Sequence, residues 1–171
     1  THYGQDVVDH RVPAMWHALK ESSDWRARRN AVDTWNDGHV DVKRGLAMTP
    51  VKFGISFTAS FLNQGGALLV VYMDGSVSCN HGGTEMGQGL NTKVAQVVAH
   101  TLGVSAQRIR VTATDTSKVA NTSATAASTG SDLNGKAAAD AAHQIKERLL
   151  AHLAQKDQVP ADAIRIEADQ V

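Results

Sequence analysis

Leu68-Leu69-Val70-Val71-Tyr72-Met73-Asp74-Gly75-Ser76-Val77-Ser78-Cys79-Asn80 is the stretch from which the fold is read. Leu68 to Tyr72 is a continuous apolar run, the pattern of a buried strand. Asp74-Gly75 is a two-residue turn signal, so Ser76 to Asn80 reads as the return strand of a hairpin. Directly after it comes the glycine-rich loop Gly82-Gly83-Thr84-Glu85-Met86-Gly87-Gln88-Gly89. Leu90, Val94, Val97, Val98, Thr101 and Leu102 then recur at helical spacing, and Gly103 sits where a helix places its left-handed terminal residue. Strand, loop and helix in this order predict a mixed α and β domain.

Working outward, Val12, Met15, Trp16 and Leu19 predict a first helix over 12–20, with Pro13 near its start. Ser22-Ser23-Asp24 separates it from a second, through Trp25, Ala31, Val32 and Trp35, which Asn36-Asp37-Gly38 ends. Residues 44–62 read as extended, with Phe53, Ile55 and Phe57 alternating. Arg108 to Ala113 reads as a strand. A long helix is expected over about 132–154, and Ile164-Arg165-Ile166 as the start of another strand. The expected organisation is a helical lead-in over 1–40 and a strand/helix lobe over 41–171. The fold class is α+β, helices packed on a mixed sheet.

The loop at 82–89 has two physical readings. It is either a structural turn or a site for phosphate or a similar anion, because free amides and the positive end of the helix dipole meet at such a junction. It is neither a Walker loop nor G-x-G-x-x-G. Gln88, between two glycines, offers amide donors and an acceptor toward a polar ligand. Glu85 is either a general base or, more simply, a carboxylate that caps the helix start. Thr122 to Ser131 is rich in small and hydroxyl side chains; it caps the long helix or allows a second close approach by a ligand. Phe57, on an alternating stretch, reads from the residues alone as a core aromatic.

Composition narrows the choice of function. Of 171 residues, 42% are hydrophobic, and Lys+Arg and Asp+Glu are both 17, giving zero net charge. That balance gives no support for a nucleic-acid or membrane-surface partner, and no apolar run approaches the roughly 20 residues of a membrane span. One cysteine, Cys79, makes neither an internal disulfide nor the set of about four thiolates that an iron–sulfur cluster needs. A cytoplasmic setting is the simplest expectation. The eight histidines make no zinc-type pair, so no side-chain metal ligand is assigned. Thr1 is not an initiator Met, and the expectation is an internal piece of a longer chain.

Several segments in one order carry a resemblance: Lys52 to Thr58, Leu62-Asn63-Gln64, Tyr72 to Val77, His81 to Gly89 with Thr92-Lys93, and Thr125-Ala126-Ala127-Ser128. Together they resemble the molybdenum-cofactor-binding portion of the xanthine dehydrogenase family. Thr1-His2-Tyr3 and Ala27-Arg28-Arg29 are similar too, and the likeness fades after about residue 155.

The resemblance implies a molybdenum-pterin cofactor, molybdopterin or its dinucleotide form. It places Gly83, Thr84, Met86, Gly87, Gln88, Gly89, Thr125, Ala127 and Ser128 against that cofactor. The Ala127 backbone would lie nearest the molybdenum, without a side-chain ligand. Phe57, Thr58 and Ala126 would line the substrate pocket. The implied reaction is hydroxylation of a purine carbon, converting hypoxanthine or xanthine toward urate. Electrons would leave through iron–sulfur clusters to FAD and NAD in other modules. The implied partners are the rest of the molybdenum-binding subunit and the iron–sulfur/FAD subunit or domains. The family's Gly-Glu motif, which supplies the general base, and its Phe-Arg-Gly-Phe-Gly-Gly segment do not occur in this sequence. The 171 residues alone are therefore expected to be inactive and to expose apolar surface meant for a missing half. Hydroxylation of an aldehyde or another N-heterocycle, and a noncatalytic anion- or pterin-binding module, are the alternatives.

Overall fold

A computed structural model describes residues 4, 6–51, 53–119 and 122–171. The Thr1-His2-Tyr3 and Lys52 parts of the resemblance lie outside these residues. The chain forms two compact units, Thr1–Phe53 and Gly54–Val171.

The first unit holds α1, Val12–Ser22, and α2, Trp25–Asp37. Pro13 sits in the first turn of α1, where its missing N–H costs nothing. Asn36 fixes the chain beyond α2: its side chain accepts from Arg44 N–H (2.8 Å) and donates to Arg44 C=O (3.0 Å). Trp35 is sandwiched between the His39 ring, 3.7 Å away, and the Arg44 guanidinium, 4.1 Å from the ring centre.

The second unit is built on the hairpin. β1, Ala67–Val71, pairs antiparallel with β2, Val77–His81, through the Asp74-Gly75 turn. β3, Ile109–Val111, pairs parallel with β2, giving a mixed sheet in the order β1-β2-β3. α3, Leu90–Leu102, and α4, Gly130–Asp157, pack on each other and on the sheet. The mixed α and β expectation is therefore met.

The core follows from the four-residue spacing of α3. Leu90, Val94, Val98 and Leu102 form one buried stripe. They meet Val77, Cys79 and Ile109 from the sheet and Ala138 and Ala142 from α4. The two alanines let the helices approach closely. Each fully buried Leu or Val contributes about 1.5–3 kcal/mol. Gly103 ends α3 at φ +84°, and a Cβ there would lie 1.8 Å from the Ile166 carbonyl oxygen. Only glycine permits that backbone contact.

Three expectations need correction. Residues 44–62 form no strand: Phe53 and Ile55 are 70% and 59% exposed. An alternating pattern makes a strand only where a neighbour supplies the hydrogen-bond ladder, and the described residues supply none here. β1 is not buried on both faces. It is an edge strand, with Ala67 and Leu69 turned to the core and Leu68, Val70 and Val71 exposed. Residues 164–166 are not a strand either; a short 3-10 turn at Ala161–Ala163 leads to a single bridge between Glu167 and Gln170. Asp169 holds this segment in place by accepting from Ser105 N–H (2.9 Å) and Arg108 Nε (2.7 Å).

Candidate functional site

The site is built where two loops enter two helices. The first runs from β2 into α3. Its glycines divide into two kinds. Gly82 and Gly83 are buried, and a Cβ on Gly83 would sit 2.5 Å from Leu90 Cδ2 and 2.8 Å from Asn134 Nδ2. Gly83 N–H donates to His81 Nδ1 (3.1 Å), and its carbonyl accepts from Thr114 Oγ1 (2.6 Å). Gly83 thus serves packing between α3 and α4, whereas Gly82 makes room for Thr122 of the second loop. Gly87 and Gly89 have positive φ and open space around them, so they shape the exposed turn.

Glu85 decides the electrostatics of this loop. Its carboxylate accepts from Gly87 N–H (2.9 Å), Gly89 N–H (3.0 Å) and Asn91 N–H (2.9 Å). The Asn91 amide, with help from Gly89 and Gly87, holds its pKa below the ordinary carboxylate value. Glu85 is thus the cap of α3 and no general base. The expectation of free amides at this helix start is corrected accordingly: an internal anion already occupies them. Gln88 is partly committed within the loop. Its side chain accepts from Met86 N–H and donates to Thr84 C=O (2.9 Å), so it does have a structural role. One amide hydrogen of Gln88 and one lone pair remain for a ligand.

His81, at the end of β2, is buried and joins strand to helix. Nδ1 accepts from Gly83 N–H, and Nε2–H donates to Asn91 Oδ1 (3.0 Å). That assignment requires the neutral ring, and burial lowers its pKa, against the smaller raising effect of Asn91.

The second loop, Thr122 to Thr129, enters α4. Ala127 and Ser128 both have positive φ, at +50° and +56°. Two adjacent non-glycine residues in this region carry strain that surrounding contacts must support. Two such contacts are present. Thr84 N–H donates to Thr125 Oγ1 (2.8 Å), tying the two loops together. Ser56 N–H donates to Ala127 C=O (3.0 Å), drawing the Phe57 segment against the same turn. Phe57 is itself fixed by Asn63, which accepts from its N–H and donates to its carbonyl, both at 2.9 Å. The start of α4 is unlike that of α3. Thr129 makes no side-chain cap and donates instead to Ala126 C=O (3.0 Å).

Between the loops lies a hollow of about 350 Å³, at the small end of ligand sites. Met86 and Gln88 line it from one side; Thr125, Ala126, Ser128 and Gly130 line it from the other. The two helix starts therefore converge. Thr84, Gly87 and Gly89 belong to the first loop but do not line the hollow. Ala127 lies within the second, between two lining residues. Gly83 is in the interior with its amide committed to His81. Phe57 is half-buried and Thr58 exposed, and neither lines the hollow. Sequence reasoning missed Lys93, which lines the hollow, although Thr92-Lys93 stood inside the quoted resemblance. It also missed Asn134, buried in the first turns of α4, whose Oδ1 has no partner while Nδ2 donates to Gly130 C=O (2.9 Å).

This arrangement fits the anionic end of a pterin cofactor. The helix start of α4 has no side-chain cap, and Ser128 and Ser131 add hydroxyl residues to the lining. Among the described residues no group of three or more His, Cys, Asp or Glu is placed to hold a metal ion. None of the described helices is long and apolar enough to cross a membrane.

Comparison with known proteins gives a consistent result. The chain is 51% identical over 149 residues to the xanthine dehydrogenase of Emericella nidulans, covering 87% of this chain and 11% of that protein. It is 50% identical over 149 residues to the xanthine dehydrogenase/oxidase of Mus musculus, again covering 87% and 11%. The chain thus spans 11% of the length of these relatives. Among solved structures, CO dehydrogenase from Oligotropha carboxidovorans matches with a TM-score of 0.55 at 28% identity, over 60% of this chain and 13% of that one. Quinoline 2-oxidoreductase from Pseudomonas putida 86 matches with a TM-score of 0.55 at 24% identity over the same shares, a likeness of fold alone. The family model described as the molybdopterin cofactor-binding domain matches residues 18–171, and the chain belongs to that family.

Proposed function

We propose that this chain forms one wall of the molybdenum-pterin site of a molybdenum hydroxylase resembling xanthine dehydrogenase. The observation that carries this reading is the hollow between the Met86–Gln88 loop and the Thr125–Ser131 helix start. The cofactor supplies the oxidation chemistry, and the protein's part is to bind and orient it. Ser128, Gly130 and Ser131 offer hydroxyls and amides to its phosphate. Thr125 Oγ1 holds Thr84 N–H and so fixes the spacing of the two walls. Gln88 turns its remaining amide hydrogen toward the pterin. The Ala127 backbone stands nearest the molybdenum, where a larger side chain would fill the approach.

The substrate reading extends from the same turn. Ser56 N–H bonds to Ala127 C=O just ahead of Phe57-Thr58, and this link supports a substrate pocket drawn from Phe57, Thr58 and Ala126. A flat purine such as hypoxanthine or xanthine suits that combination. The general base lies outside this chain, as do the iron–sulfur, FAD and NAD modules that would take the electrons. The setting we infer is cytoplasmic. The fragment supplies binding and orientation and is inactive alone.

The test is molybdenum and pterin content of the full-length complex carrying Gln88→Ala or Ser128→Asp. Asp tolerates the left-handed backbone of Ser128 better than most residues, so Ser128→Asp adds negative charge without new strain. Both variants should lose most of their cofactor. Full occupancy in both would remove this hollow from the cofactor site.

A further inference from the structure

We propose that Lys93 is the phosphate-reading cation of the hollow, the side chain that pairs with the phosphate monoester or diphosphate of the pterin tail; this assignment rests on the cofactor reading above. Glu85 controls the electrostatics at the start of α3. Its carboxylate takes the amides of Gly87, Gly89 and Asn91 and neutralises the positive end of α3. An anion entering the hollow gains nothing from that helix and is repelled by Glu85. Its attraction must come from elsewhere in the wall.

Two features supply it. The start of α4 has no side-chain cap, and the amides of Gly130 and Ser131 have no acceptor among the described hydrogen bonds. Lys93 is the one charged residue among those lining the hollow. It makes no ion pair and no side-chain hydrogen bond among the described residues, so its ammonium is available to a ligand. The acidic residue in the first turn of α4, Asp132, does not line the hollow.

The position of Lys93 is itself informative. It lies in the first turn of α3, with its N–H bonded to Gly89 C=O at 3.1 Å. Glu85 offsets the dipole that would otherwise disfavour a cation there, yet no described ion pair takes the Lys93 ammonium. A bound phosphate would. The ammonium group is a compact point charge with three donors, suited to a phosphate oxygen cluster. The pterin ring is uncharged and offers it no such partner.

The experiment uses the full-length enzyme with Lys93→Gln and Lys93→Arg. The readout is pterin retained after dialysis at low and high salt, measured by fluorescence of the released, oxidised pterin. Lys93→Gln should lose pterin roughly two- to fivefold faster than the wild type, the loss of one exposed charge pair. Its rate should respond less to salt, because one screened charge pair is gone. Lys93→Arg should recover most of the retention. Wild-type retention in Lys93→Gln, or equal loss in both variants, overturns the proposal. The two readings fail separately. If Ser128→Asp sheds the cofactor and Lys93→Gln does not, only the Lys93 assignment falls. If neither variant sheds it, the cofactor reading falls as well.

Discussion

Gly83→Ala tests the division of the glycine loop into packing and exposed parts. The new methyl would lie 2.5 Å from Leu90 Cδ2 and 2.8 Å from Asn134 Nδ2. Ordinary carbon contacts are about 3.5–4.0 Å, so the overlap with Leu90 is about 1 Å. Leu90 is fully buried at the head of the core stripe, so relief requires its side chain to shift out of the core toward the hollow it borders. Overpacking of this kind costs roughly 1–3 kcal/mol. Displacing Asn134 from Gly130 C=O adds about 1 kcal/mol for one hydrogen bond. A total of about 2–4 kcal/mol lowers the melting midpoint by roughly 10 °C for a domain of this size. The assay is thermal unfolding followed by circular dichroism, with Gly87→Ala as the control. Gly87 has open space and φ +96°, so its substitution costs only the backbone penalty, about 1–2 kcal/mol. Equal shifts for the two variants, or a Gly83→Ala shift under about 2 °C, would refute the packing account.

His81 should make stability depend on pH. Burial lowers its pKa from 6.5, so the unfolded chain binds the proton more tightly. Its stabilisation is complete above pH 6.5 and is lost as pH falls through that value. Urea midpoints should drop between neutral and mildly acidic pH, and His81→Gln should flatten that drop. Glu85, its pKa lowered chiefly by the Asn91 amide, stabilises the loop above its unfolded pKa and loses the effect as pH falls through the folded one. Glu85→Gln should therefore speed amide exchange at Gly87, Gly89 and Asn91 at neutral pH, and unchanged protection would count against the cap. Cys79 is buried with its pKa pushed up to about 11. A thiol reagent should leave it unmodified in the native protein and label it in urea, and rapid native labelling would contradict the buried strand.

Local rules made much of the fold legible. The turn at Asp74-Gly75, the four-residue stripe of α3 and the terminal Gly103 all follow from neighbours in sequence. The capping reading of Glu85 does too, because an acidic residue just before a helix has ready amides to accept from. The failures share a cause in tertiary structure. Phe53 and Ile55 alternate correctly, but alternation does not reveal whether a partner strand exists. The apolar run of β1 does not reveal that it is an edge. Gly83 and Gly87 look alike in sequence, and only the positions of Leu90 and Asn134 separate them. Within the candidate site, the resemblance brought the two loops together; spacing alone left each with a structural reading. Lys93 went unseen because the hollow that gives it meaning is walled by residues far apart in the chain.

Anomalous diffraction at the molybdenum edge, on crystals of the full-length enzyme with its native cofactor, locates the metal and its pterin. The expected result is a molybdenum peak beside the Ala126–Ser128 turn, with pterin density continuing into the hollow toward Gln88 and Lys93. A peak and pterin density on another face of the domain, with this hollow filled only by solvent, would contradict it.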